Sequence, residues 1–286
     1  MKIYLGPAGV PISSPKRDTL TGIRTVGELG LNAIEIQFVR GVKMKREMAE
    51  EAREIAEELG IKLSVHAPYY INLASEKKDI IEKSKERILE SLDRAEIMDA
   101  EFVVVHAAYY LKEKKDKEIV YKKKETYEIV KKNIEDILDK MKERGIKKAK
   151  LALETMAKEA QFAGLEELLK LIDEINHKQL TICVDFAHLY ARNNGKINYK
   201  KILDELEKRN IKRIHCHFSN MRYNVNTKRF LDIHEPIDGN PPFEPLAKEL
   251  LKRDFEEVTI ISESPILEKD ALKMKKIFEK LGYKFE

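Results

Sequence analysis

Eight short runs of apolar, mostly β-branched residues recur along the 286-residue chain. Charged stretches with the apolar periodicity of a helix separate them, as in "KREMAEEAREIAEELG" (45–60) and "KETYEIVKKNIEDILDKMKERG" (124–145). Such an alternation of strands and helices predicts parallel βαβ units. The predicted strands span residues 2–6, 32–38, 61–67, 101–107, 149–155, 180–186, 211–218 and 258–264.

The number and spacing of these strands predict a closed barrel. The chain length allows about 36 residues for each repeat, which is the size of one βαβ unit. Eight such units favour an α/β fold of the (β/α)8 type, in a single domain over residues 1–286. An open doubly wound sheet is the alternative, but no G-x-G-x-x-G turn follows the first strand to favour it. Gly30, Gly60 and Gly145 follow helical stretches, and we expect them to end helices.

The composition indicates where in the cell the protein is expected and which partners it lacks. No stretch approaches the roughly 18–20 uninterrupted apolar residues of a membrane span, and the first residues lack the pattern of a secretion signal. We therefore expect a cytoplasmic protein with no membrane partner. Cys183 and Cys216 lie inside apolar runs, which is typical of packed thiols in a reducing compartment. The net charge of +4 does not by itself indicate a nucleic-acid partner.

Side chains that bind metals follow the predicted strands from the third to the eighth. In a barrel the carboxyl ends of all strands meet at one mouth. Imidazole and carboxylate groups together form the ligand set of Zn²⁺ and related divalent ions. Nine such groups are too many for one ion and suit two or three. They are His66, His106, Glu154, Asp185, His188, His217, Asp232, His234 and Glu263, with Asp232 and His234 in the loop after the seventh strand.

A structural role is the competing explanation for each of these residues. A single histidine after a strand is more often a packed or capping residue. A glutamate at the end of an apolar strand is harder to explain in this way, because an unpaired buried carboxylate costs several kcal/mol. Metal binding removes that cost for Glu154 and Glu263. We expect His215 to point into the barrel one layer deeper, in a packing or supporting role. The charge-dense run 112–125 is interpreted as a solvated helix face.

The motifs "VHAPYYINLA", "VVVHA", "LALET", "CVDFAH", "HCHFSN", "DIH" and "SES" resemble those of the endonuclease IV family. Its members are zinc-dependent nucleases of abasic DNA, within the xylose-isomerase-like group of barrels, and the resemblance covers nearly the whole chain. It implies three zinc ions, with Mn²⁺ or another divalent ion as an alternative at one or more sites. The implied ligands are His66, His106 and Glu154 for one ion, Glu154, Asp185, His217 and Glu263 for the second, and His188, Asp232 and His234 for the third.

The same resemblance implies an activity. A hydroxide bridging two ions would attack the phosphodiester 5′ to an abasic site, with Glu154 and Glu263 as catalytic residues. The implied partner is double-stranded DNA, and we expect a monomer. Basic and aromatic residues near the strand ends would contact the DNA. These are Tyr69, Tyr70, Arg40, Arg222, Lys228 and Arg229.

Two other functions remain open at this stage. A sugar isomerase or epimerase with a single divalent ion would need only Glu154, Asp185, His217 and Glu263, so the additional ligand-type residues favour the nuclease. A protein that binds damaged DNA without cutting it would not need a complete ligand set. The loops depart from the family pattern, since "YLGPAGVP" replaces its histidine-serine signature and "HAAYY" its glycine-serine-histidine ending. The resemblance is therefore closer at the metal ligands than at the DNA-contacting loops.

Overall fold

Eight parallel strands form the central sheet of the computed structural model, which describes residues 1–115 and 118–285. The strands are Lys2–Pro7 (β1), Ala33–Gln37 (β2), Lys62–His66 (β3), Phe102–Val105 (β4), Lys150–Glu154 (β5), Leu180–Asp185 (β6), Arg213–Phe218 (β7) and Glu257–Ser262 (β8). Consecutive strands are neighbours, in the order β1-β8-β7-β6-β5-β4-β3-β2, and each lies within two residues of its predicted span. The predicted (β/α)8 fold is therefore confirmed.

The two strands at the ends of this order meet, which distinguishes a barrel from an open sheet. Ala8 and Glu35 form a parallel bridge, and the Gly9 N–H donates to the Glu35 carbonyl at 2.9 Å. Gly6 permits the close approach, because a Cβ atom there would lie 1.6 Å from the Ala33 carbonyl oxygen. Only glycine fits at this crossing without displacing the backbone.

Helices connect the strands, and over the described residues there are nine. They are Thr19–Glu28 (α1), Arg46–Leu59 (α2), Lys78–Ile97 (α3), Lys123–Glu143 (α4), Leu165–Ile175 (α5), Phe186–Arg192 (α6), Tyr199–Lys208 (α7), Phe243–Leu250 (α8) and Glu268–Lys280 (α9). The two helical stretches quoted from the sequence correspond to α2 and α4. Gly30, Gly60 and Gly145 have φ values of +69°, +66° and +73°, which confirms that they end helices. None of the helices in these ranges has the length and apolar character to cross a membrane.

The chain divides into two compact units, each with buried apolar residues of its own. The terminal unit comprises Met1–Ile36, Glu54–Lys62 and Val184–Glu286, and the central unit comprises Gln37–Arg53 and Leu63–Cys183. In the terminal unit the buried strand residues include Ile3, Leu5, Val258 and Ile260. In the central unit they include Phe102, Val104, Ala152 and Cys183.

Both cysteines are buried free thiols, as the sequence predicts. Burial raises the pKa of the Cys216 thiol to about 12. A thiol with such a pKa stays protonated at neutral pH, which is typical of an inert packed cysteine.

The described residues of the charge-dense run 112–125 are exposed except for the half-buried Tyr121, but the prediction of a helix face is wrong for most of them. Lys112–Lys115 and Glu118–Tyr121 pair as an antiparallel hairpin, and helix α4 begins only at Lys123. Tyr121 packs against the ring of Tyr110 at 5.8 Å between centroids. Ile119 and Val120 are β-branched, and Tyr121 after them packs on Tyr110. These residues favour a strand over the helix that the charges suggested. Asp116 and Lys117 of this run lie outside the described residues.

The predicted loop after β7 is also an antiparallel ribbon, which we call ribbon 220–235. Its strands are Asn220–Asn224 and Arg229–Glu235. Phe230 anchors it, since its ring lies 4.7 Å from that of Tyr190 on α6. A Cβ atom at Gly195 would come within 2.8 Å of the Phe230 ring, so the glycine leaves room for this contact. A loop prediction is therefore wrong here, because an aromatic contact with another element holds the segment extended.

Candidate metal centre

The central unit brings together three of the predicted ligands. His66 and Glu154 are the last residues of β3 and β5, and His106 follows β4 directly. One donor atom from each lies within 4.8 Å of the others. Glu154 Oε2 is 2.7 Å from His106 Nε2 and 3.3 Å from His66 Nε2. We call these three residues the central group.

One ring nitrogen of His66 forms a hydrogen bond with the backbone, and the other faces Glu154, where it can bind a metal. Its Nδ1 lies 2.8 Å from the carbonyl oxygen of Ala67. A carbonyl can only accept, so Nδ1 holds a ring proton, and Nε2 is the nitrogen that faces Glu154. When Nε2 has no proton, its lone pair and the carboxylate oxygen repel each other unless a cation lies between them. The central group therefore has the arrangement of a cation site.

Two tyrosines lie beside the central group and are exposed. The ring centroid of Tyr69 is 5.3 Å from that of His66 and 5.7 Å from that of His106. The exposed fraction is 47% for Tyr69 and 65% for Tyr70. Asn72 stabilises the adjoining loops, because its Oδ1 accepts the N–H of Tyr109 at 3.2 Å. Large aromatic side chains thus stay accessible next to buried donors.

The terminal unit contains a second set of three donors, which we call the ribbon group. His188 lies on α6, whereas Asp232 and His234 lie on ribbon 220–235. One donor atom from each lies within 4.8 Å of the others, and His188 Nε2 is 3.3 Å from Asp232 Oδ1. Ser219, which sequence reasoning missed, has its Oγ 2.7 Å from His234 Nδ1. This hydroxyl orients the imidazole and leaves Nε2 for another partner.

Asp185, His217 and Glu263 form a third set in the terminal unit, the strand group. His217 Nδ1 lies 3.4 Å from Glu263 Oε1 and 4.0 Å from Asp185 Oδ2. Asp185 also caps α6, where its Oδ1 accepts the His188 N–H at 2.5 Å. Its Oδ2 is 3.4 Å from His188 Nδ1, and His234 Nε2 is 3.8 Å from Glu263 Oε2. The strand group and the ribbon group are therefore adjacent.

Glu35 is a buried residue of this region that the sequence analysis did not select. Its Oε2 lies 2.8 Å from His215 Nε2 and 3.1 Å from His217 Nε2, and all three residues are fully buried. A glutamate in the apolar strand "AIEIQ" raises the same question of an unpaired carboxylate that singled out Glu154. That signal was present in the sequence. His215, predicted to have a packing or supporting role, contacts Glu35.

The charges of this buried trio follow from its contacts. Burial raises the pKa of Glu35, but the electrostatic interaction with His217 and hydrogen bonds from both histidines outweigh it and hold the pKa well below its usual range. Burial lowers the pKa of His215, and its hydrogen bond to Glu35 opposes this only in part. Glu35 is therefore ionised at neutral pH, while His215 is a neutral ring that donates its Nε2–H.

The donor separations fit a small divalent cation. Two ligands of a tetrahedral zinc ion lie about 3.3 Å apart when each bond is 2.0–2.1 Å, whereas charge-assisted hydrogen bonds are about 2.7–2.9 Å long. One separation in each group is close to this value, at 3.3 Å in the central group, 3.3 Å in the ribbon group and 3.4 Å in the strand group, whereas His217 Nδ1 and Asp185 Oδ2 are 4.0 Å apart. The 2.7 Å contact of His106 with Glu154 is shorter. Imidazole and carboxylate together are a donor set for a divalent metal ion.

The residues predicted to contact DNA lie on exposed turns and on the ribbon. Arg40 is exposed in the turn after β2. Arg222, Lys228 and Arg229 are exposed on ribbon 220–235, the element that holds Asp232 and His234. Arg222 forms an ion pair with Glu235, so part of its charge is already compensated. Their role in DNA binding stays a prediction.

Comparison with known proteins identifies the family. The model of the xylose isomerase-like TIM barrel family matches residues 23–281. The chain belongs to this family. This confirms the broader group to which the sequence motifs pointed.

Curated relatives and solved structures differ in the functions that their names state. The chain is 36% identical to the uncharacterized protein MJ0133 of Methanocaldococcus jannaschii over 98% of each chain. It is 30% identical to "Probable endonuclease 4" of Natranaerobius thermophilus over 85% of this chain and 86% of that one.

Among solved structures, a D-tagatose 3-epimerase-like protein has a TM-score of 0.73 at 22% identity, covering 98% of this chain and 96% of its own. Endonuclease IV of Thermus thermophilus has a TM-score of 0.68 at 20% identity, covering 96% of this chain and 98% of its own. At these identities the structural likeness shows the fold alone.

Proposed function

We propose that this protein is a metal-dependent phosphodiesterase that incises duplex DNA 5′ to abasic sites. The observation that supports it is the presence of two compact donor sets beyond the strand group. His66, His106 and Glu154 form one, and His188, Asp232 and His234 form the other. A single-ion isomerase has no need of either set. Relatives named as probable endonuclease 4 that cover most of the chain point to the same chemistry.

Charge balance connects the number of ions to the substrate. A single divalent ion held by Glu154, Asp185, His217 and Glu263 would face three carboxylates, and the site would stay negative. Such a site repels a phosphodiester but accepts a neutral sugar. Three divalent ions face only four carboxylates among the nine predicted ligands, because the imidazoles are neutral ligands. With all three ions bound, these residues would form a positive centre that attracts a phosphodiester.

Glu154 and Glu263 have different roles in the proposed hydrolysis. Bound divalent ions lower the pKa of water to near 7 and stabilise negative charge on phosphoryl oxygens. Glu154 is buried between two histidines, so its carboxylate serves as a ligand. Glu263 is partly exposed and directs Oε1 toward His217 and Oε2 toward His234. We assign to Glu263 the acceptance of the proton that the attacking water loses, while the bond between phosphorus and the 3′-oxygen breaks and that oxygen takes a proton from solvent to become the 3′-hydroxyl.

Exposed residues near the donors would bind the DNA. Tyr69 and Tyr70 are accessible aromatic side chains, and Tyr69 contacts both histidines of the central group. An abasic nucleotide leaves the helical stack at low cost, because it has no base to unstack, and a tyrosine can fill the space. Lys228 and Arg229 would contact phosphates. The proposal includes zinc as the bound metal, action as a monomer and a cytoplasmic location.

The direct test is an incision assay with the purified protein. The substrate is a 5′-labelled duplex with one tetrahydrofuran residue in place of a nucleotide, and the control is the same duplex without it. We expect one nick 5′ to the lesion, a 3′-hydroxyl end that a polymerase extends, loss of activity after EDTA treatment and recovery with Zn²⁺. An intact lesion duplex together with turnover of a keto-sugar would reject the proposal in favour of the epimerase.

Counting the metals provides an independent test. Elemental analysis of the purified protein should find about three divalent ions per chain if each donor set is used. The Asp232→Asn variant should lose one of them and most of the incision activity. An exposed carboxylate on the surface of α3 provides the matched control, Glu90→Asn, which should lose neither. One ion per chain in the wild-type protein, unchanged by Asp232→Asn, would contradict the proposal.

A further inference from the structure

The chain of contacts from His215 through Glu35 to His217 has no assigned role in the reaction. We infer that Glu35 is a positioning residue that fixes the ring of His217 with its proton on Nε2, so that Nδ1 is the metal-binding atom. The inference rests on the metal centre of the proposed function, but not on its substrate. It concerns a residue that neither touches the substrate nor binds the metal.

The two ring nitrogens of His217 face different carboxylates. Nε2 lies 3.1 Å from Glu35 Oε2, whereas Nδ1 lies 3.4 Å from Glu263 Oε1. An ionised carboxylate can only accept hydrogen bonds, so Nε2 must hold the proton if it bonds to Glu35. Nδ1 is then the nitrogen left to bind a metal, and it lies on the side of Asp185 and Glu263. A carboxylate behind a ligating histidine is a common way to orient the ring and raise its basicity.

Glu35 itself is held on several sides. His215 Nε2 lies 2.8 Å from the same carboxylate oxygen that faces His217. The Glu35 carbonyl accepts the Gly9 N–H, and its residue pairs with Ala8 across the closure of the barrel. The side chain is completely buried, so water cannot compete for its oxygens. The carboxylate therefore has little freedom to follow a rotating imidazole, and it resists that rotation.

Direct metal binding by Glu35 is the competing role. Glu35, His217 and Glu263 each offer one donor atom within 4.8 Å of the others. However, Glu35 faces Nε2 of His217 and Glu263 faces Nδ1, so a metal on the Glu263 side cannot replace the hydrogen bond on the Glu35 side. A metal bound by Glu35 and Nε2 would require that hydrogen bond to be lost. The two roles thus predict different tautomers and different effects of substitution.

The first test reads the tautomer directly in the metal-depleted full-length protein. Nitrogen-15 NMR with labelled histidine distinguishes a protonated from an unprotonated ring nitrogen, and a His217→Asn variant assigns the signals. We expect His217 with a proton on Nε2 and none on Nδ1. A proton on Nδ1 with a bare Nε2 would overturn the inference, and no substituted Glu35 protein is needed for this result.

The second test measures zinc affinity by competition with a chromophoric chelator. Glu35→Leu removes the acceptor, and we expect affinity at the weakest site to fall by about 10- to 100-fold, as for other residues that support a ligand. Glu35→Gln keeps an oxygen that can accept the Nε2–H, so it should recover part of that loss. Loss of a whole zinc ion in both variants would identify Glu35 as a ligand, and unchanged affinity in both would also reject the positioning role.

A buried carboxylate elsewhere provides the matched control. Glu268 is buried and accepts the N–H groups of Ile12 and Ser13 at 2.9 and 3.0 Å. Glu268→Gln should lower the stability while zinc affinity stays within about twofold, because it supports no ligand. Absence of DNA incision alongside the expected tautomer and affinities would reject only the proposed reaction. Normal incision with the wrong tautomer would reject only the role of Glu35.

Discussion

Donors on barrel strands and donors on ribbon 220–235 are held by different physical means. His66, Glu154 and His217 lie at or near the ends of parallel strands and are buried. Their backbones are set by hydrogen bonds along the sheet. Asp232 and His234 lie on a two-stranded ribbon, and their side chains are 15% and 28% exposed. A two-stranded ribbon by itself is marginally stable.

The ribbon therefore depends on contacts with the rest of its unit. Phe230 packs on Tyr190, the Phe230 N–H donates to Asn194 Oδ1 at 3.3 Å, and Asn220 Oδ1 accepts the Gly239 N–H at 2.7 Å. In the proposed centre we call the donors on barrel strands the fixed part. The ribbon adds an adjustable part, whose donors are nearer to solvent and more easily replaced by water.

The largest effect is expected at Glu154, in the fixed part. Glu154→Gln keeps the volume and removes the charge on which both His66 and His106 converge. We expect incision to fall on the order of 1,000-fold, equivalent to about 4 kcal/mol in the barrier, because metal ligation and charge stabilisation are lost together. Single-turnover gel assays measure this, with circular dichroism to check the fold. Activity within about tenfold of wild type would show that the central group is not essential.

The next largest effect is expected on stability, from a substitution where the barrel closes. Gly6 lies at this closure and is not one of the predicted metal ligands. Gly6→Ala places a Cβ atom 1.6 Å from the Ala33 carbonyl oxygen, and backbone must move to relieve it. We expect a loss of about 3 kcal/mol in unfolding free energy, measured by urea titration. Gly27→Ala on α1 is the control, since its nearest contacts are side-chain atoms at 3.4 Å. Equal stability of the two variants would show that the fixed part tolerates distortion.

A smaller loss is expected when a ribbon donor is removed. His234→Asn deletes one partly exposed ligand, and a water molecule can take its position. We expect a 10- to 100-fold loss of incision, about 1.4–2.7 kcal/mol, with faster release of one metal ion to a chelator. Added Zn²⁺ should restore part of the activity of this variant and none of that of Glu154→Gln. Equal rescue of both would remove the distinction between the fixed and adjustable parts.

The sequence was sufficient for the barrel and for the predicted donors that lie near strand ends. Buried β-branched runs such as "FVVV" can form little except strands, and eight of them separated by helices have one common solution. His66 and Glu154 are adjacent in space because carboxyl ends of parallel strands meet. These inferences need only local pattern and topology. The expectation that His188 lies beside Asp232 and His234 came from the resemblance to the endonuclease IV family, and their donor atoms do lie within 4.8 Å of one another.

Ribbon 220–235 and the strand pair of Lys112–Lys115 with Glu118–Tyr121 could not be predicted from local pattern in this way. Segment 220–235 has no regular alternation of apolar residues, and its extended form depends on the contact of Phe230 with Tyr190. Segment 112–121 has the charge density of a solvated helix, and the cross-strand pairs of Lys112 with Tyr121 and Lys114 with Ile119 form only in the folded chain. Glu35 was missed for another reason. Its carboxylate lies inside an apolar strand, but its partner His215 is distant in sequence.

The smallest effect is expected at the basic residues of ribbon 220–235, because solvent screens an exposed side-chain charge from the exposed phosphates of the DNA. Arg229→Gln should weaken binding of the lesion duplex by a few-fold, and the slope of log affinity against log salt should fall by about one. Fluorescence anisotropy with an EDTA-treated protein measures binding without cleavage. Lys252→Gln, an exposed lysine that pairs with Glu249 at the end of α8, is the matched control and should leave the slope unchanged. An unchanged slope for Arg229→Gln would mean that the ribbon contributes donors to the metal but no phosphate contact at this position, and DNA binding would then have to depend on other residues, such as Arg40.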